Sequence, residues 1–210
     1  MRQPSTTTVL KAATPALLAG LSILLTLTPA RAQLLGPSPH LAEVVALDEC
    51  DPTTFNGTLG ESGGGFCHNV SLSVLGYATT LNDLFAKAAA GTPDPGWDFE
   101  PDSLVIRKGD VLSVVNQGGE PHTFTEVAQF GGGFIPGLNN NVSPVPECAG
   151  GFKDVAVART RILQGSRLNI TNLSRGTHLF QCCIHPWMRF QVNVVGPFVE
   201  SSQSPQAARH

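Results

Sequence analysis

Phe180-Gln181-Cys182-Cys183-Ile184-His185-Pro186-Trp187-Met188 is the stretch that decides how this chain is read. It sets a thiol, an imidazole and a thioether in one short turn, with Cys182, His185 and Met188 in a C-x2-H-x2-M spacing. A tight loop of that length brings all three side chains to one point. A fourth donor lies 60 residues upstream of Cys182, where His122 follows Pro121 in Gly118-Gly119-Glu120-Pro121-His122-Thr123-Phe124. A valine-rich segment precedes it.

Two imidazoles, one thiolate and a weak axial thioether make the donor set of a type 1 (blue) copper site, which carries single electrons. Zinc accepts Cys and His but has no need of the Met. Multicopper oxidases flank the copper Cys with His on both sides, to wire a trinuclear cluster; here the flanks are Gln181 and Cys183. A binuclear purple site needs two Cys as C-x3-C, whereas adjacent residues on a strand point to opposite faces. Cys183 in place of Cys182, with C-x-H spacing, stays open as the thiolate ligand.

The aromatic-x-Cys segment, the C-x2-H-x2-M loop and the upstream Pro-His together resemble the small cupredoxins of the plastocyanin and amicyanin type, over roughly residues 99–195. The short Cys-to-Met loop is nearest the amicyanin kind. Lys108-Gly109-Asp110 ahead of an apolar strand, and Asn116 closing it, match the same pattern. The resemblance implies an all-β, Greek-key sandwich holding one mononuclear copper on His122, Cys182, His185 and Met188. It also implies that His185 shows its ring edge to solvent as the electron port. Redox partner proteins would then dock near His185 on an apolar rim of Pro121, Pro186 and Trp187. Many cupredoxins follow the strand His with Asn or Ser, whose side chain braces the ligand loop; here Thr123 takes that place. Glu120 beside the site reads as a solvated loop carboxylate or as a charge that tunes potential.

The N-terminus points to export. Arg2 and Lys11 precede an apolar run, and Ala30-Arg31-Ala32 makes a cleavage site, so residues 1–32 read as a secretory signal. No later stretch is long enough to span a bilayer, so none is expected in the mature protein. Removing 1–32 leaves ten cations against sixteen anions, net −6, which gives no electrostatic reason to bind nucleic acid. The expected compartment is the periplasm or the extracellular space.

Five Cys in an exported chain divide into one metal thiolate and two disulfides. Four Cys allow three pairings. Cys50–Cys67 is favoured because it closes a short Gly-rich loop, and Cys148–Cys183 because it ties the ligand loop to the long connection before it. Plant cupredoxins brace their copper loop in the same manner.

Residues 33–97 read as an N-terminal extension packing on the sandwich, 98–196 as the copper domain and 197–210 as a disordered tail. Within the extension, 33–52 reads as a polar lead-in, 53–66 as loop and 69–77 as a strand. Thr80 reads as the N-cap of one short helix carrying Leu81, Leu84, Phe85 and Ala88 on one face, closed by Gly91. Strands are expected over 103–107, 110–116, 121–127, 154–158, 166–171, 177–182 and 190–195, short and rich in β-branched residues. Phe130-Gly131-Gly132-Gly133-Phe134 reads as a flexible loop at the copper end. No second metal cluster and no recognisable Ser/His/Asp motif is present, so no enzyme is expected. The alternatives are a copper-delivery protein without a redox partner, and a metal-free accessory module of the same fold.

Overall fold

The computed structural model describes residues 38–59, 67–68 and 76–196. The expected signal 1–32, most of the strand expected over 69–77 and the tail 197–210 lie outside the described residues. Among the described residues, no helix is long and apolar enough to cross a membrane.

Two four-stranded sheets make the body of the molecule. The first runs β2-β1-β4-β8, with β1 Leu41–Leu47, β2 Asp98–Glu100, β4 Val111–Asn116 and β8 Arg167–Ile170. The second runs β3-β10-β9-β6, with β3 Ser103–Arg107, β6 Thr125–Val127, β9 Gly176–Gln181 and β10 Arg189–Val195. A two-stranded pair, β5 His122–Thr123 with β7 Arg161–Ile162, sits beside them. β1 pairs parallel with β4, β3 pairs parallel with β10, and the other ladders are antiparallel. One apolar core joins inward residues of both sheets, among them Val44, Phe99, Leu112 and Val114 from the first and Phe180, Phe190 and Val192 from the second. The expected β-sandwich is therefore present.

Alternation explains the strands. β10 buries Phe190, Val192 and Val194 and exposes Arg189, Gln191 and Asn193. β1 does the same with Ala42, Val44 and Ala46 inward. The expected helix is there as Leu81–Ala89, numbered α2 below; Thr80 Oγ1 accepts from the Asp83 backbone N–H at 3.1 Å, and Leu81, Leu84 and Ala88 are buried.

Four expectations are corrected. Residues 33–97 do not merely pack on the sandwich: β1 is an interior strand of the first sheet, between β2 and β4. The part of the expected 53–66 loop that is described is helix α1, Pro52–Leu59, started by Asp51, whose carboxylate accepts from Thr54 N–H at 2.9 Å. Asp-Pro is a helix-start signal, an N-cap followed by Pro at the first helical position. The strand expected over 154–158 is instead helix α3, Val155–Arg159, because Asp154 caps it by accepting from Ala156 N–H at 2.8 Å. The cap outweighs the valine alternation that suggested a strand. Finally, the 130–134 segment is pinned at four points rather than loose. Gly131 N–H donates to Gln181 Oε1 at 3.0 Å, Gly133 N–H to Asn139 Oδ1 at 2.7 Å, Phe134 N–H to Cys183 O at 2.8 Å, and Gly132 bridges Pro144.

Both expected disulfides are formed, Cys50–Cys67 and Cys148–Cys183. The first ties the start of α1 to residue 67. The second ties the ligand loop to the 128–150 connection. Cys182 is left as the free thiol, which removes Cys183 from the ligand alternatives.

Candidate metal centre

The end of β9 delivers Cys182, and β5 delivers His122 across from it. Between Cys182 and β10 the chain turns tightly: Met188 N–H donates to His185 O at 3.0 Å and Cys182 N–H donates to Met188 O at 3.0 Å. That closed turn swings His185 over Cys182. Cys182, His122 and His185 converge, all buried. Cys182 Sγ lies 3.9 Å from His122 Nδ1 and 3.8 Å from His185 Nδ1, and the two Nδ1 atoms are 3.2 Å apart. A point equidistant from these three atoms lies about 2.1 Å from each, close to the bond lengths that transition metals make to His nitrogen and Cys sulfur. Three soft or borderline donors that face one centre fit a copper ion. Met188 is fully buried in the same turn.

The backbone completes the sulfur's surroundings. Thr123 N–H and His185 N–H each point at Cys182 Sγ at 3.4 Å. Two donors of this kind favour the thiolate over the thiol. Burial alone would push the Cys182 thiol up, but its contacts to His122 and His185 hold it well below the ordinary thiol value. Thr123 supplies the brace expected of it: its hydroxyl oxygen accepts from Cys183 N–H at 2.7 Å. Asn116 ties the other side, donating from Nδ2 to Glu120 O at 2.7 Å and to Ile162 O at 3.0 Å.

Two residues that sequence reasoning passed over complete the site. Asp48, just past β1, accepts from His122 Nε2 at 2.9 Å and from Glu120 N–H at 2.9 Å. Both side chains of the Asp48–His122 pair are fully buried. A carboxylate behind an imidazole in this way fixes the tautomer and points the other nitrogen at the centre. Gly118 makes room for it, since a Cβ there would collide with Asp48 Oδ2. Burial disfavours a charged His122, yet the bonds to Asp48 and Cys182 lift its pKa to about 10 in the metal-free protein. Burial pulls the other way on Asp48 too, and His122 holds its carboxyl below the usual range. His185 has no such carboxylate, and burial lowers its pKa.

Trp97 is the second. Its ring meets the His185 ring edge-on at 4.7 Å and the His122 ring at 6.4 Å, and it stacks on Phe55 of α1 at 5.8 Å. Trp97 and Phe55 are each 1% exposed. They form a cap over the imidazoles.

The cap overturns the expected electron port. His185 is 2% exposed, and Pro121 and Pro186 are buried as well. Of the expected apolar rim only Trp187 is partly exposed. Glu120 is not solvated either. It is 4% exposed, its Oε1 has no hydrogen-bond partner, and burial followed by the Asp48 charge pushes it up to about 8. Of the remaining His, His178 pairs with Glu126 on the sheet surface at 2.6 Å, and His40 and His68 are exposed.

No protein-family model matches the chain and no curated protein matches it. Among solved structures it is similar to a reduced amicyanin variant, at 21% identity over 47% of this chain and 73% of that one, TM-score 0.31. A Cu(I) amicyanin variant matches at 20% identity over 51% of this chain and 89% of that one, TM-score 0.32. A purple cupredoxin from Nitrosopumilus maritimus matches at 14% identity over 73% of this chain and 99% of that one, TM-score 0.34.

Proposed function

We propose that this chain is an exported, mononuclear type 1 (blue) copper protein that shuttles single electrons between redox proteins and catalyses no reaction of its own. The observation that carries the reading is the convergence of Cys182 Sγ, His122 Nδ1 and His185 Nδ1 on one buried point. In this reading those three atoms would hold copper, and Met188, buried in the same turn, would supply a further weak thioether donor. Copper in such a set supplies a one-electron couple whose two states tolerate the same donors.

The chain's own residues do the rest. Asp48 holds the His122 ring, and Thr123 and Asn116 hold the loops that carry the ligands. The Cys148–Cys183 bridge ties down the residue next to the thiolate. A site fixed this firmly changes charge with little rearrangement, which is what fast electron transfer needs. The burial of both imidazoles argues against a delivery role, because a carrier that hands over its metal needs an open ligand. Two disulfides support an oxidising compartment and hence export.

The test is the visible and paramagnetic-resonance spectrum of the mature protein after adding Cu(II). An intense thiolate-to-copper band with narrow copper hyperfine splitting is expected. A colourless protein that binds only Cu(I) would replace this reading with copper delivery. No binding of either ion would overturn it.

A further inference from the structure

A one-electron centre has to exchange with the outside, and here both imidazoles are sealed. His122 is fully buried and His185 is 2% exposed. Electronic coupling falls steeply through saturated matter and less steeply through conjugated rings, so ring contacts that reach the surface matter most. Among the described residues, the rings in contact with the two imidazoles, other than each other, are Trp97 and Trp187. Trp97 leads inward: it stacks on Phe55, itself 1% exposed. The disulfide beside the thiolate leads nowhere either, with Cys148 and Cys183 both fully buried.

Trp187 is different. Its ring lies 5.6 Å from the His185 ring, tilted by 51°, and the residue is partly exposed. It also lines a groove of about 410 Å³, together with Pro186, Gly131, Gly132, Leu138 and Arg189. The groove is fixed, because the Gly131–Gly133 segment is tied to Gln181 and Asn139, and Arg189 Nε donates to Pro186 O at 3.0 Å.

We infer that electrons enter and leave through Trp187, whose indole couples the buried His185 to this groove, and not through an exposed imidazole edge. The inference rests on the reading of the site as a one-electron copper centre. In the reducing direction an external one-electron donor loses one electron and the centre gains it. No bond forms or breaks, no proton moves, and the indole is a bridge that is not itself oxidised. Donors that bring their redox group into the groove are thereby favoured over those that lie flat on the surface.

The experiment compares Trp187→Leu and Trp187→Phe with Trp97→Leu and the parent, all copper-loaded. Leu keeps an apolar side chain in place and removes the ring, and Phe keeps a smaller ring. The probe is hexaammineruthenium(II), with reduction followed as loss of the visible band in stopped flow. Trp187→Leu is expected to slow reduction about tenfold or more, within the one to three decades over which encounter rates vary among mutants of one surface. Trp187→Phe should fall between it and the parent, with the parent's band position kept in both. Trp97→Leu is expected to raise the rate, by uncovering His185.

A second readout needs no copper turnover. The chain has two Trp, so Trp97→Phe leaves Trp187 as the sole indole. Its fluorescence in the metal-free protein should be quenched by acrylamide, whereas that of Trp97 in Trp187→Phe should resist. Equal rates for Trp187→Leu and the parent would overturn the inference, and so would slowing confined to Trp97→Leu. A parent with no blue band would instead overturn the reading of the site.

Discussion

The ligand loop and the cap over it meet at the same two imidazoles, yet they are built in opposite ways. The loop is one continuous stretch. Cys182, His185 and Met188 stand three residues apart, and two backbone hydrogen bonds at 3.0 Å close the turn among them. The cap is assembled from Asp48 after β1, Phe55 on α1 and Trp97 before β2. Asp48 and Phe55 flank Cys50, and Trp97 comes from beyond Cys67, its disulfide partner. The loop supplies donors and the cap supplies orientation and exclusion of water. Cys182 and His185 are written within one turn and only His122 arrives from 60 residues away, while the shell around them is recruited from wherever the fold brings chain past.

That division is tested first at the thiolate, where the largest effect is expected. Cys182→Ser should abolish the blue band altogether, because a hydroxyl cannot replace the soft thiolate. Cys183→Ser leaves the three donors in place and breaks only the bridge to Cys148. Its band should persist, at a cost of about 2–5 kcal/mol in stability for a lost native disulfide. A band that survives Cys182→Ser would take the thiolate out of the site.

The next effect belongs to the cap. Trp97→Ala removes a fully buried ring, and large-to-small changes of this size cost about 3–5 kcal/mol. It should also open His185, so that azide added to the Cu(II) protein perturbs the visible spectrum of the variant and not of the parent. Loss of stability without any change in azide response would make Trp97 a core residue that happens to touch His185, and the cap would have no role in exclusion.

A smaller effect is expected from the carboxylate. Asp48→Asn keeps the size and breaks the charge, and outer-shell partners of metal-bound His are typically worth about 10- to 100-fold in metal affinity. Copper should bind more weakly by a factor in that range, measured by competition with a chelator, with the band retained. Unchanged affinity would mean that β5 alone orients His122, and that the Asp48–His122 bond serves only folding.

The contrast also sets what could be read from the letters. The convergence of Cys182 and His185 with His122, and both disulfides, are visible because their spacing and pairing are local or few. Six of the seven strands expected within 98–196 coincide with sheet strands, with 121–127 split into β5 and β6; 154–158 does not, because an Asp cap converts Val155–Arg159 to helix, and β1, β2 and β7 have no counterpart among the expected strands. Asp48 and Trp97 carry no such mark. Asp48 stands after a strand whose Leu-Ala-Glu-Val-Val-Ala letters carry no polar-apolar alternation and read as a lead-in, and the β1·β4 pairing brings it to His122. The sequence alone leaves His185 facing solvent for the same reason. Nothing in the loop itself foretells that a segment about 90 residues earlier lies across it. Asp51-Pro52 is a helix-start signal that the loop reading of 53–66 leaves unused, and with it the position of Phe55.

The smallest effect lies at Glu120, which joins the two regions: its N–H donates to Asp48 of the cap, and its carbonyl accepts from Asn116 below the ligands. Its side chain is buried with Oε1 unpartnered, and burial with the Asp48 charge raises its pKa from 4.5 to about 8. The folded protein therefore holds a proton that the unfolded chain releases at lower pH. Stability from this proton is fully present below about 4.5 and is lost as pH rises through about 8. His122, raised from 6.5 to about 10, gives the metal-free protein a second loss of the same sign at higher pH. Glu120→Gln resembles the protonated acid at every pH. It should flatten the fall in melting temperature of metal-free protein between about pH 4.5 and 6.5 and leave the fall between about 6.5 and 10 that His122 contributes. A variant that falls as steeply as the parent between about pH 4.5 and 6.5 would show that Glu120 is ionised against Asp48 throughout. The cap would then carry two negative charges beside His122, and its role would be electrostatic rather than one of orientation and exclusion.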